Sequence, residues 1–158
     1  MILVTVGAQM PFPRLIDAVD EWAERHPDAE VFAQIGDQTP PPTHLHHVAL
    51  VDPAELRAKI EEAEVVVAHA GMGTIITCLD LGAPLVIFPR EGARRETRND
   101  HQVATALRFG ERPGIWVADT PGSLHDLLDR RGDLRSQTPT APETSPQLLD
   151  TIRTFIDA

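Results

Sequence analysis

Six short apolar runs constrain this chain more than any other feature: Ile2–Val6, Glu30–Ile35, Val48–Val51, Val65–Ala68, Pro84–Phe88 and Ile115–Ala118. They are rich in Val and Ile, and most lack polar alternation. A strand with one wet face alternates apolar with polar residues, whereas a strand covered on both faces reads as a continuous apolar run. Amphipathic segments lie between the runs. Pro13–Arg25 places Leu15, Val19 and Trp22 on one face. A second helix follows Asp52-Pro53, where Asp caps, Pro takes the first helical position and Glu55 completes a capping-box spacing. A third runs from Gly73-Thr74 to Leu81-Gly82. A fourth starts at Asn99-Asp100 with Val103, Ala106 and Leu107, and a fifth at Thr120-Pro121 with Leu124, Leu127 and Leu128. This alternation predicts an α/β fold built on a doubly wound parallel sheet.

Two connections break the rhythm. Gly36–His47 joins two strands without a helix and carries Pro40-Pro41-Pro42 with His44, His46 and His47. Ser136–Ser145 is rich in Pro, Thr and Ser and reads as a tether to a last amphipathic helix bearing Leu148, Leu149, Ile152, Phe155 and Ile156. The expected organisation is a domain over 1–132, a tether over 133–145 and a helix over 146–158.

Composition removes several function classes. The formal net charge is −10 over 158 residues, which argues against a general nucleic-acid binder. The lone Cys78 excludes an intramolecular disulfide framework and suits a reducing, cytoplasmic compartment; its spacing puts it in the core. There is no apolar run long enough to span a membrane and no signal-peptide pattern at the N-terminus. His44, His46 and His47 lack the Cys or carboxylate company of a metal site and read as a surface loop, with His26 and His125 on helix surfaces.

In an open α/β sheet ligands bind beyond the carboxyl ends of the strands, which selects four loops. The strongest is His69-Ala70-Gly71-Met72-Gly73-Thr74. Its glycines allow close approach of a ligand, and the helix that follows offers free N–H groups and a positive dipole end to an anion. A ligand-free tight turn is the alternative. Ile76 breaks the dinucleotide fingerprint, and no Gly-Lys-Ser/Thr occurs, so neither a G-x-G-x-x-G/A site nor a P-loop is present. The second loop, Pro89 to Gln102, gathers Arg90, Arg94, Arg95 and Arg98, which read as solvated charges. It also holds Glu96, Asn99, His101 and Gln102, whose carboxylate, amides and imidazole suit a sugar. Gly7–Phe12 and Gln34–Asp37 are the other two, each equally readable as a turn.

The segments VTVGAQMPFPRLIDAVDEWA, VFAQIG, VVVAHAGMGTIITCLDLGAPLVIFPR and ETRNDHQVATA resemble the family 28 glycosyltransferase C-terminal domain. More closely they resemble the PssE-like subunit of two-component bacterial exopolysaccharide glycosyltransferases. That group is similar in turn to the cytosolic subunit of the eukaryotic enzyme that adds the second N-acetylglucosamine to a dolichol-linked sugar. The resemblance implies a Rossmann-like domain, the C-terminal half of a GT-B fold, that binds a UDP-sugar with no essential metal or other cofactor. It implies that Gly71, Met72, Gly73 and Thr74 hold the diphosphate, that His101 and Gln102 touch the sugar, and that Val51–Pro53 lines the uracil. With the other loop residues, the implied donor-binding set also takes in Gly7, Gln34, His69, Ala70, Thr77, Arg90, Glu96, Asn99 and Asp100. Thr77 stands where many relatives carry a ribose-gripping Glu, leaving Asp80 or Glu96 to replace it. Arg95-Glu96-Thr97 departs from the Gly-Glu-His of the PssE-like group.

The resemblance further implies that only the donor half is present. The acceptor half, its membrane anchor and the general base would then come from a second polypeptide, which would recruit this chain to the cytoplasmic face. The last helix would be a docking element or pack on its own domain. A stand-alone homodimeric transferase and a non-catalytic nucleotide-sugar-binding regulatory module are the rival readings.

Overall fold

The computed structural model describes residues 1–135 and 138–139. Six parallel strands form one sheet in the order β3-β2-β1-β4-β5-β6. They are β1 (Ile2–Thr5), β2 (Val31–Gln34), β3 (His46–Val48), β4 (Val65–Ala68), β5 (Leu85–Ile87) and β6 (Ile115–Val117). The helices are α1 (Pro13–Glu24), α2 (Pro53–Glu62), α3 (Met72–Leu81), α4 (His101–Phe109) and α5 (Pro121–Asp129). This is the doubly wound parallel sheet that the strand–helix alternation predicts.

The apolar runs are uninterrupted because both faces of the sheet are covered. Ile2 and Val4 of β1 enter the cluster shared with α1 and α5, built around Trp22, Phe12 and Leu124. Leu3 enters the opposite cluster with Ile60 of α2, Ile75 and Cys78 of α3 and Ala106 of α4. β4 divides the same way, with Val65 and Val67 on one side and Val66 and Ala68 on the other. Cys78 is fully buried, and burial pushes its thiol up to about 12.

Local chemistry sets the helix starts. Asp52 Oδ1 accepts from the Ala54 amide at 2.9 Å, with Pro53 in the first turn of α2. Thr120 and Ser123 form a reciprocal capping box at α5. Gly82 closes α3 in the left-handed conformation that favours glycine.

Four expectations need correction. The third strand is His46–Val48, not Val48–Val51. It lies at the sheet edge with β2 as its sole neighbour, so its backbone pairs while His46 is exposed and His47 half-buried, and Leu50 beyond it is exposed. His46 and His47 therefore belong to a strand; His44 sits in a turn pinned by Asp20, whose carboxylate accepts from the His44 and Thr43 amides at 2.7 and 3.2 Å. Leu107 on α4 is 71% exposed rather than packed. His125 is tied to the Ala18 carbonyl at 2.7 Å and links α5 to α1, while His26 stacks on Trp22. After α5 comes the Arg131–Asp133 turn, and Leu134 is buried against the α1–α5 side. The amphipathic helix expected after Ser145 lies outside the described residues.

Candidate functional site

The loops after β1, β4 and β5 and the first turns of α3 and α4 enclose a cleft at the carboxyl ends of the central strands. Two adjoining cavities, about 150 and 410 Å³, share Gly7, Ala8, Gln9, His69, His101 and Gln102. The larger reaches Gly71, Met72, Gly73, Thr74 and Thr105. Gly73 and Thr74 also border a third cavity of about 300 Å³, lined by Pro53, Leu56, Arg57, Ile60 and Thr77 between α2 and α3. A polar cleft and a mostly apolar groove thus meet at the N-terminus of α3. That terminus has no side-chain cap, which leaves its amides available to an anion.

His69 forms the floor between two glycines. A Cβ on Gly7, whose φ is +78°, would fall 2.7 Å from His69 Cε1, and one on Gly71 would collide with Nε2. Both glycines are therefore demanded by the imidazole. A Cβ on Gly73 meets nothing within 4 Å, so the protein itself imposes no such demand there. His69 Nδ1 is buried without a hydrogen-bond partner. Burial, reinforced by the nearby Arg90 charge, holds the imidazole down to about 4, so it is neutral at physiological pH.

Several polar residues of the set serve as supports for the walls. Gln34 is buried; its Oε1 accepts from Thr5 Oγ1 at 2.6 Å, and its Nε2 donates to the Gly7 and Ala49 carbonyls. Arg90 is not the solvated charge its loop suggests: it is 4% exposed and donates to the carbonyls of Val6, Met10, Pro11 and Glu96. Glu96 accepts from Arg14 at 2.7 and 2.8 Å and from the Glu91 amide at 2.9 Å. Burial raises the Glu96 pKa, but Arg14 and the Glu91 amide outweigh it, and the carboxyl sits below its ordinary range. Gln102 Oε1 accepts from the Arg90 amide, and Asp100 Oδ1 from the Gly92 amide. Asn99 Oδ1 meets His101 Nδ1, which orients the exposed imidazole at the rim.

Val51, Thr77 and Asp80 stand apart from the cleft. Val51 is half-buried against the α2–α3 side of the core. Thr77 Oγ1 donates to the Gly73 carbonyl at 2.9 Å, and Asp80 is paired with Arg57 at 2.7 Å.

The sequence profile of the glycosyltransferase family 28 C-terminal domain matches residues 1–129. The chain belongs to that family. No curated protein matches the sequence. Solved structures share the fold. An NMR solution structure of ALG13 is 19% identical, with a TM-score of 0.59 over 99% of this chain and 96% of that one. The crystal structure of Acinetobacter baumannii MurG is 19% identical, with a TM-score of 0.61 over 96% of this chain and 49% of that one. CalG4, the calicheamicin glycosyltransferase, is 17% identical, with a TM-score of 0.62 over 99% of this chain and 43% of that one. The chain thus spans less than half of MurG and CalG4 and nearly all of ALG13. Its fold is the Rossmann-like C-terminal half of a GT-B glycosyltransferase.

In this family 28 domain the cleft brings together Gly7, His69 to Thr74, Arg90, Glu96, His101 and Gln102. Thr77 lines the adjoining groove, while Gln34, Val51, Asn99 and Asp100 line none of these three cavities. Thr97, from the selected Pro89–Gln102 loop, lines the cleft, as does Thr105, which no sequence signal marks. Arg14, in the first turn of α1, bridges to Glu96, 82 residues away. Among the described residues, no group of three or more His, Cys, Asp or Glu side chains is placed to hold a metal ion, and no helix is long and apolar enough to cross a membrane.

Proposed function

We propose that this chain is the donor-binding half of a UDP-sugar-dependent hexosyltransferase, PssE-like in arrangement. It would complete its active site with a membrane-anchored acceptor-binding subunit at the cytoplasmic face. The observation that carries this reading is the uncapped N-terminus of α3, which opens on a polar cleft on one side and an apolar groove on the other. An amphiphile with a central dianion fits that layout. Its diphosphate takes the α3 amides, its base takes the groove by Leu56 and Ile60, and its sugar takes the cleft by His101 and Gln102. The freedom around Gly73 supports the same reading, since a glycine with no packing role suits close approach of a ligand.

In an inverting transfer an acceptor hydroxyl attacks the anomeric carbon, and the bond from that carbon to the diphosphate breaks. Negative charge grows on the leaving UDP, where the α3 dipole and amides stabilise it without any proton transfer from this chain. The partner supplies the base that takes the hydroxyl proton. A neutral His69 adds no cation to the floor, so the backbone carries the anion.

Calorimetry with UDP, UDP-N-acetylglucosamine and UDP-glucose tests the reading. Gly73→Asp, which sets a carboxylate at the anion position, abolishes binding while leaving the melting temperature close to that of the wild type. Absence of uridine nucleotide binding, with and without a partner, refutes it. Turnover by the purified chain alone would instead identify a stand-alone transferase.

A further inference from the structure

Arg90, three residues beyond β5, is a buried cation in the loop that follows the strand. Its guanidinium lies over the Phe12 ring at 4.4 Å and makes no ion pair among the described residues. Nη2 donates to the Met10 and Val6 carbonyls at 2.7 and 3.0 Å, and Nη1 to the Pro11 and Glu96 carbonyls at 2.8 and 3.3 Å. Three of these acceptors belong to the segment that follows β1. Gln34 holds the Gly7 carbonyl of the same segment at 3.0 Å. The carbonyl side of the loop is therefore occupied from within. The amides of Ala8, Gln9 and Met10 donate to no protein acceptor among the described residues, and all three residues line the cleft. The Arg90 backbone amide also holds Gln102 at the opposite wall.

We propose that Arg90 is a positioning residue that sorts the donors and acceptors of the loop after β1. It draws the carbonyls inward and so leaves the amides of Ala8, Gln9 and Met10 for the bound ligand. A buried cation is costly unless its hydrogen bonds are satisfied, and here carbonyl dipoles satisfy it. The arrangement needs a planar fork, because two nitrogens serve four carbonyls. A lysine keeps the charge but offers one nitrogen and cannot reproduce the set. The ligand in question is the diphosphate of a nucleotide sugar, so this inference rests on the function proposed above.

The test separates the two. Wild-type protein, Arg90→Lys and Arg90→Ala are titrated with UDP, and the Ala8, Gln9 and Met10 amides are followed by NMR with and without UDP. Arg90→Lys weakens UDP binding by about tenfold or more, roughly the effect of losing a well-made charged hydrogen bond. It shifts the three loop amides while resonances of α5 stay in place. About 20 mM guanidinium, far below unfolding concentrations, returns Arg90→Ala toward wild-type affinity and loop shifts; a general loss of stability would not respond that way. A folded Arg90→Lys that binds UDP within about twofold of wild type overturns the proposal, as does a guanidinium titration that leaves the loop amides unmoved. Should wild type fail to bind UDP, the nucleotide reading falls, and the ligand-free amide shifts still decide the role of Arg90. Should Arg90→Ala fail to fold, Arg90→Lys decides.

Discussion

Acidification tests the environment of His69 directly. In the unfolded chain its imidazole takes a proton near 6.5, whereas burial and the Arg90 charge delay that event to about 4 in the folded protein. Between those values the unfolded state binds the proton and the folded state does not, so stability falls as pH falls. It is fully present above the unfolded value and stops falling once the folded imidazole also protonates. Going from about pH 7.5 to about pH 5 therefore costs about 2 kcal/mol through this one group. For a domain of this size that is a drop of about 6 °C in melting temperature. Denaturant titrations at both pH values measure the loss, and His69→Gln, which cannot titrate, removes it. Asp20 and Glu96 are held below their ordinary carboxylate values and titrate beneath this window. An NMR titration reads the imidazole itself. A His69→Gln profile parallel to the wild type, or a His69 resonance titrating near its ordinary value, would refute the reasoning.

Other perturbations separate the supports of the cleft from its lining. Gly7→Ala strains a left-handed backbone and drives a methyl toward His69; a loss of about 2 kcal/mol or more in chemical denaturation is expected, with Gly122→Ala, helical and with nothing within 4 Å of its Cβ, as a control that is not destabilised. Glu96→Gln leaves Arg14 without its carboxylate and lowers stability by about 1–3 kcal/mol. The variant also loses part of the acid-induced destabilisation below about pH 4.5, because a depressed carboxylate stabilises above its unfolded value and stops doing so as pH falls. Cys78, with its thiol raised to about 12, reacts with a thiol reagent only as fast as the domain opens, and rapid labelling of native protein would contradict its burial. Leu124→Ala removes a fully buried contact between α5 and the sheet and costs about 2–5 kcal/mol by denaturant titration.

The sequence by itself determined the sheet and most of the cleft. Apolar runs without alternation mean two covered faces, and β1, β4 and β5 send successive residues to opposite clusters in agreement. A sheet of that kind binds at its carboxyl edge, so the loops carrying Gly7, His69 to Thr74 and His101-Gln102 were legible from their position after strands. Periodicity failed at β3, because an edge strand can be built from histidines when backbone pairing with β2 suffices. Tertiary structure alone decided which polar residues face a ligand and which hold the walls. Arg14 and Glu96 are 82 residues apart, and Arg90 reaches Val6 across 84. No local pattern announces such partners, because a buried hydrogen bond depends on where two elements dock, not on the residues flanking either one. The same holds for His69: its sequence shows an imidazole beside glycines, and only the packing shows that Gly7 and Gly71 are small to make room for it.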